Sequence, residues 1–190
     1  MVEITPAANQ QESSSERLIR FLDAESLHKK DFAEMIGVTL SYVYSLIDKE
    51  IPFSTRTTTL ERIAVVMDTE PETFQEYKRQ DEPVLFDAGI EFLKHKQTAL
   101  GLSNVQFLKR FPRNQRLDVV DMWRGAKELP LDWAKLCAIT AILGLKKEEV
   151  YPYWQARLQQ YLTNGGIDPL SNIGLFNAMF QGAKQYLGVY

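Results

Sequence analysis

The chain has 190 residues, 45% hydrophobic and 25% charged, with 22 basic against 25 acidic side chains and a net charge of −3. That length holds one domain or two small ones, and the apolar fraction excludes a chain disordered throughout. One cysteine excludes an intramolecular disulfide, and with two histidines it makes a poor zinc set. No stretch approaches the ~18 uncharged apolar residues of a membrane span. The N-terminus MVEITPAANQQESSS lacks the apolar core of a signal peptide, so the expectation is a soluble cytoplasmic protein.

Residues 1–14 are polar and without periodicity, which predicts a flexible tail. From Ser15 the pattern is helical. Leu18, Ile19, Phe21 and Leu22 form one apolar stripe, followed by Phe32, Ala33, Met35 and Ile36, then Val43, Leu46 and Ile47. Thr58-x-x-Glu61 is a capping-box pattern ahead of Leu60–Met67, and Pro71 starts a short helix through Phe74 and Tyr77. Residues 78–87 are charged, contain Pro83, and read as a linker.

The pattern then begins again. Ile90, Phe92 and Leu93 open a helix; Ser103-x-x-Gln106 is a second capping box; helices follow over Leu117–Trp123 and Leu131–Leu143. A shift of about 76 residues lays Val43, Leu46 and Ile47 on Val119, Met122 and Trp123. The same shift lays Leu60, Ile63, Val66 and Met67 on Leu136, Ile139, Ile142 and Leu143. The expectation is an all-α chain with two repeated units, 15–77 and 88–163, and a C-terminal extension, 164–190.

Within the first unit, Lys29-Lys30-Asp31-Phe32-Ala33-Glu34-Met35-Ile36-Gly37-Val38-Thr39-Leu40-Ser41-Tyr42-Val43-Tyr44-Ser45-Leu46-Ile47 resembles the helix-turn-helix of the lambda-repressor-like (Xre/Cro-type) family, and the resemblance extends over residues 16–77. A small Ala33 lets two helices cross closely, Gly37 supplies a positive φ, and Val38, Val43 and Leu46 anchor the second helix. The second unit resembles the family less closely. Val120–Gly125 followed by Pro130 looks like the end of a recognition helix, but Arg113-Asn114 stands where Gly-Val is expected, and Lys109 or Arg110 replaces the small alanine. Asn tolerates a left-handed turn.

The resemblance implies a sequence-specific regulator of bacterial or phage type that reads double-stranded DNA in the major groove. In the first unit the exposed start of the second helix would be Leu40, Ser41, Tyr42, Tyr44 and Ser45, with Lys29, Lys30 and Arg56 on phosphates. None of the first five makes bidentate base contacts. Tyr42 and Tyr44 could equally pack on another protein. Charge favours the second unit. Residues 1–80 carry 9 basic and 14 acidic side chains, whereas 94–127 carry 8 basic and 2 acidic. Lys109, Arg110, Arg113, Asn114, Gln115, Arg116, Arg124 and Lys127 are therefore its expected DNA contacts, although a solvated face is the ordinary reading of such a window.

At the C-terminus Ile173, Phe176, Met179, Phe180, Ala183 and Leu187 make a helical stripe that either completes an internal core or pairs two chains as a homodimer. No phosphate loop, two-histidine metal motif or nucleophile elbow is present, so neither an enzyme nor a cofactor is expected. Cys137 reads as a core residue, and His28 and His95 as surface or helix-end residues. The alternative function is a helix-turn-helix scaffold used as an adaptor or antitoxin-like interaction module.

Overall fold

The computed structural model describes residues 12–78 and 88–189, and among them it is all α-helical, without strands. The helices are α1 (Ser14–Ala24), α2 (Lys29–Ile36), α3 (Leu40–Ile47), α4 (Thr57–Val66), α5 (Ala88–Ala99), α6 (Asn104–Lys109), α7 (Arg113–Trp123), α8 (Trp133–Ala141), α9 (Lys147–Asn164) and α10 (Ile173–Tyr186), with a 3-10 turn at Pro71–Thr73. Most of the expected linker 78–87, and of the expected tail, lies outside the described residues. Of that tail, Ser13 caps α1 through a reciprocal capping box with Glu16, and Ser14 is already helical and buried.

Two compact units form, and they do not follow the linear division at 78–87. The first combines the described part of Met1–Pro83 with Asn104–Arg124; the second combines the described part of Val84–Ser103 with Gly125–Tyr190. Helices α6 and α7 belong with α1–α4, while α8 belongs with α5, α9 and α10.

In the first unit the apolar spacing decides what is buried. Leu18 and Leu22 of α1, Phe32, Met35 and Ile36 of α2, Val43 and Leu46 of α3, and Leu60 and Ile63 of α4 make its core. Gly37 ends α2 with φ +72°, and Thr39 caps α3 by accepting from the Tyr42 amide at 3.2 Å. A Cβ on Gly37 would stand 2.8 Å from Leu117 Cδ2, so α7 lies directly on this turn. The expected Thr58 cap does not form. Arg56 in extended conformation opens α4 two residues earlier, its carbonyl accepting from Thr59 and Leu60, which places Thr58 inside the first turn.

The turn between α6 and α7 also differs from expectation. Arg113 and Asn114 are helical, neither has a positive φ, and Pro112 precedes the helix with φ −53°. A proline, rather than a left-handed residue, sets that corner.

The second unit buries Ile90, Leu93, Leu129, Leu136, Ile139, Val150, Tyr151, Phe176 and Phe180. Gly89 is required where α5 meets α9, because a Cβ there would overlap the Tyr153 ring at 2.0 Å. Trp133, Tyr151 and Trp154 form one aromatic cluster, with ring centroids 5.6–6.0 Å apart. The Tyr151 hydroxyl donates to the Phe180 carbonyl and ties α10 to α9.

Candidate nucleic-acid interface

The short segment Gly37-Val38-Thr39 joins α2 to α3, and Val43 and Leu46 fix α3 from below. The opposite side of α3 is open to solvent, with Leu40 39% and Tyr44 54% exposed and Ser41 exposed between them. Tyr42 is half-buried and donates its hydroxyl to Thr55 Oγ1 at 2.8 Å. That bond holds the loop at Ser54 and Thr55 against α3, and Arg56 next to it is exposed. Lys29 Nζ stands 5.8 Å from the Tyr44 ring centroid, with exposed Lys30 beside it in sequence. Among the described residues, no ion pair engages Lys29, Lys30 or Arg56.

The arginines of the second basic cluster are arranged differently. Arg113 Nη2 donates to Asp31 Oδ1 at 3.1 Å, and its Nε stands 3.4 Å from Glu34 Oε2, an ion-pair contact without hydrogen-bond alignment. Arg116 is buried, donates through Nε to the Phe111 carbonyl at 3.2 Å, and approaches Asp31 at 3.7 Å. Arg124 donates to Glu61 Oε2 at 2.6 Å and to Asp121 Oδ1 at 2.8 Å. Arg62 of α4 donates twice to the same Asp121 carboxylate, at 2.8 and 3.0 Å. Burial alone would raise the Asp121 carboxyl, but hydrogen bonds and charge from Arg62 and Arg124 outweigh it and hold the group below its ordinary value.

These contacts run along one side of α7: Arg113 and Arg116 against α2, Leu117 over Gly37, and Asp121 and Arg124 against α4. Three of the arginines expected on phosphates are thus neutralised within the chain. Spacing along the chain does not reveal these pairs, because Arg113 reaches both Asp31 and Glu34 while Arg116 approaches Asp31. Leu117 on Gly37 likewise carries no signal in the sequence.

Of the other expected contacts, Lys109, Arg110, Asn114 and Gln115 are exposed on α6, its turn and the start of α7, in the first unit. Lys127 is exposed and belongs to the second unit, as do Lys94 and Lys96, so the basic window is split between the two. Lys94 pairs with Glu91 at 2.9 Å. Phe176 and Phe180 of the expected pairing stripe are buried in the second unit and Leu187 is half-buried, whereas Ile173 and Met179 are exposed. Cys137 is half-buried at the edge of the core, and burial pushes its thiol up. His28 occupies the position before α2 without capping it, and His95 is exposed.

Among the described residues no group of three or more His, Cys, Asp or Glu could hold a metal ion, and no helix is long and apolar enough to cross a membrane. No family model, curated protein or solved structure matches the chain.

Proposed function

We propose that this chain is a helix-turn-helix regulator of transcription, acting in the cytoplasm, that binds double-stranded DNA by laying α3 in the major groove. One observation carries the reading. Beside the exposed side of α3 stand cations that no described carboxylate neutralises: Lys29 near Tyr44, with exposed Lys30 next to it in sequence, and exposed Arg56 next to Thr55, which Tyr42 bonds. The resemblance of residues 29–47 to the lambda-repressor-like family supports the same docking. Lys29, Lys30 and Arg56 hold phosphates; Ser41 and Tyr44 offer hydroxyls, and Leu40 an apolar surface suited to a thymine methyl. With no bidentate Arg, Asn or Gln on the exposed side of α3, sequence discrimination is modest per base and leans on DNA shape. Lys109, Arg110, Asn114 and Gln115 are exposed in the same unit and are secondary candidates, while Arg113, Arg116 and Arg124 serve the packing of α7.

The test is the salt dependence of binding to random-sequence duplex. Each lost phosphate contact lowers the log–log slope by about 0.9, so Lys29→Ala with Lys30→Ala and Arg56→Ala lowers it by about 2.7. Ser41→Ala and Tyr44→Ala change the sequences recovered by selection from random DNA. An unchanged slope in the triple variant, or no binding at about 50 mM salt, overturns the proposal. The uncharged face of Leu40 and Tyr44, with Ile51 46% exposed after it, favours one other reading, a scaffold that docks a protein. Retention of a protein partner without DNA binding would support that reading.

A further inference from the structure

Asn164 closes α9 and is followed by Gly165 and Gly166; of the six asparagines in the chain it is the one that precedes a glycine. An asparagine side chain is open to attack at Cγ by the backbone nitrogen of the next residue. Glycine in that next position presents no Cβ to block the approach and leaves the backbone free to turn toward it. The other five precede Gln10, Val105, Gln115, Ile173 and Ala178, whose side chains hinder it. The Asn164 side chain is exposed and makes no hydrogen bond among the described residues.

Backbone bonds hold the attacking nitrogen back. The Gly165 N–H donates to the Tyr161 carbonyl at 3.1 Å, the Gly166 N–H to Thr163 at 2.9 Å and the Ile167 N–H to Leu162 at 3.0 Å. While this turn is closed, the Gly165 nitrogen is engaged and helical backbone keeps it from Cγ of Asn164. Little packs over the turn: residues 163–168 are all exposed, and a Cβ on Gly166 would meet nothing within 4 Å. The closed form rests on those bonds and on Gly166 at φ +91°, and an uncovered helix end frays.

We propose that Asn164 is a site of spontaneous deamidation, gated by fraying of the last turn of α9. In the open form the Gly165 nitrogen gives its proton to solvent base and attacks Asn164 Cγ. The bond from Cγ to the side-chain nitrogen breaks, that nitrogen takes a proton and leaves as ammonia, and a five-membered imide closes. Water then adds to either imide carbonyl and breaks its bond to the ring nitrogen. One carbonyl yields aspartate, the other isoaspartate, in which the chain runs through the side-chain carbon. Both products set a carboxylate at the C-terminal end of α9, where the helix dipole disfavours an anion. Isoaspartate also lengthens the backbone ahead of Gly165, so the bonds of Gly166 and Ile167 lose register and the corner leading to α10 loosens. The inference is independent of DNA binding.

Peptide mapping by mass spectrometry of the full chain, incubated at neutral pH over weeks, tests it, with isoaspartate read by enzymatic methylation. The expected loss of amide is at Asn164, gives both products and quickens as pH rises. The chain in denaturant converts faster, because the gate is gone. Gly166→Ala is strained at a left-handed φ, so it raises the open population and the native rate about 5- to 30-fold while leaving the rate in denaturant unchanged. Asn164→Gln and Gly165→Ala suppress the reaction with helical content retained. In the converted chain the Ile167 amide exchanges with solvent faster than before. An Asn164 that stays intact in the native chain while the denatured chain converts, another asparagine reacting first, or a native rate indifferent to Gly166→Ala overturns the proposal.

Discussion

Replacing Asp121 by Ala removes the one carboxylate that Arg62 and Arg124 share. Both guanidiniums and the carboxylate are about four-fifths buried as side chains, at 21%, 15% and 18% exposure. Arg124 keeps Glu61 at 2.6 Å, so Arg62 is the charge left stranded, with only a 3.4 Å contact to the Ile36 carbonyl. Breaking a fully buried pair from one side costs about 3–5 kcal/mol. Residual solvent access reduces this to about 2–3 kcal/mol, or roughly 5–10 °C in Tm for a chain of this size. Thermal unfolding by circular dichroism reads that loss. Arg62→Met combined with Asp121→Leu recovers part of it, because the stranded charge goes with its partner. DNA affinity well below the transition stays at the wild-type level or rises slightly, since a negative charge has been removed. A Tm within 1 °C of wild type, or a loss of DNA affinity without a loss of stability, would refute α7 as a docked structural helix.

Arg124→Ala lowers Tm similarly and leaves the salt slope of DNA binding unchanged, which a titration at several ionic strengths checks. Because Asp121 titrates below its ordinary value in the folded chain, its contribution is complete above that ordinary value of 3.8 and disappears as pH falls through the folded one. The Tm difference between wild type and Asp121→Asn therefore stays constant from about pH 5 to 7 and shrinks only in stronger acid. Gly37→Ala costs about 1–2 kcal/mol for its left-handed φ, and crowding of Leu117 adds to that; Leu117→Ala removes only the added part, visible as non-additivity in a double-mutant cycle. Tyr151→Phe removes the hydroxyl that ties α9 to the Phe180 carbonyl, which keeps its place in the α10 backbone ladder, and costs about 0.5–1.5 kcal/mol, read as a lower Tm.

The helical stripes were legible in the sequence because burial at Leu18, Leu22, Val43, Leu46, Leu60 and Ile63 follows the helical period. The turn at Gly37 was legible because left-handed backbone strongly prefers glycine. What periodicity does not carry is which helix packs on which. Arg113, Arg116 and Arg124 lie in a basic window, and charge counted along a chain has no partner; acids that neutralise them stand on α2 and α4, between 63 and 85 residues earlier. The same limit applies to α10. A wide apolar arc predicts burial but not where the neighbour's coverage stops, so Phe176 and Phe180 belong to the core while Leu175 and Tyr186 remain outside.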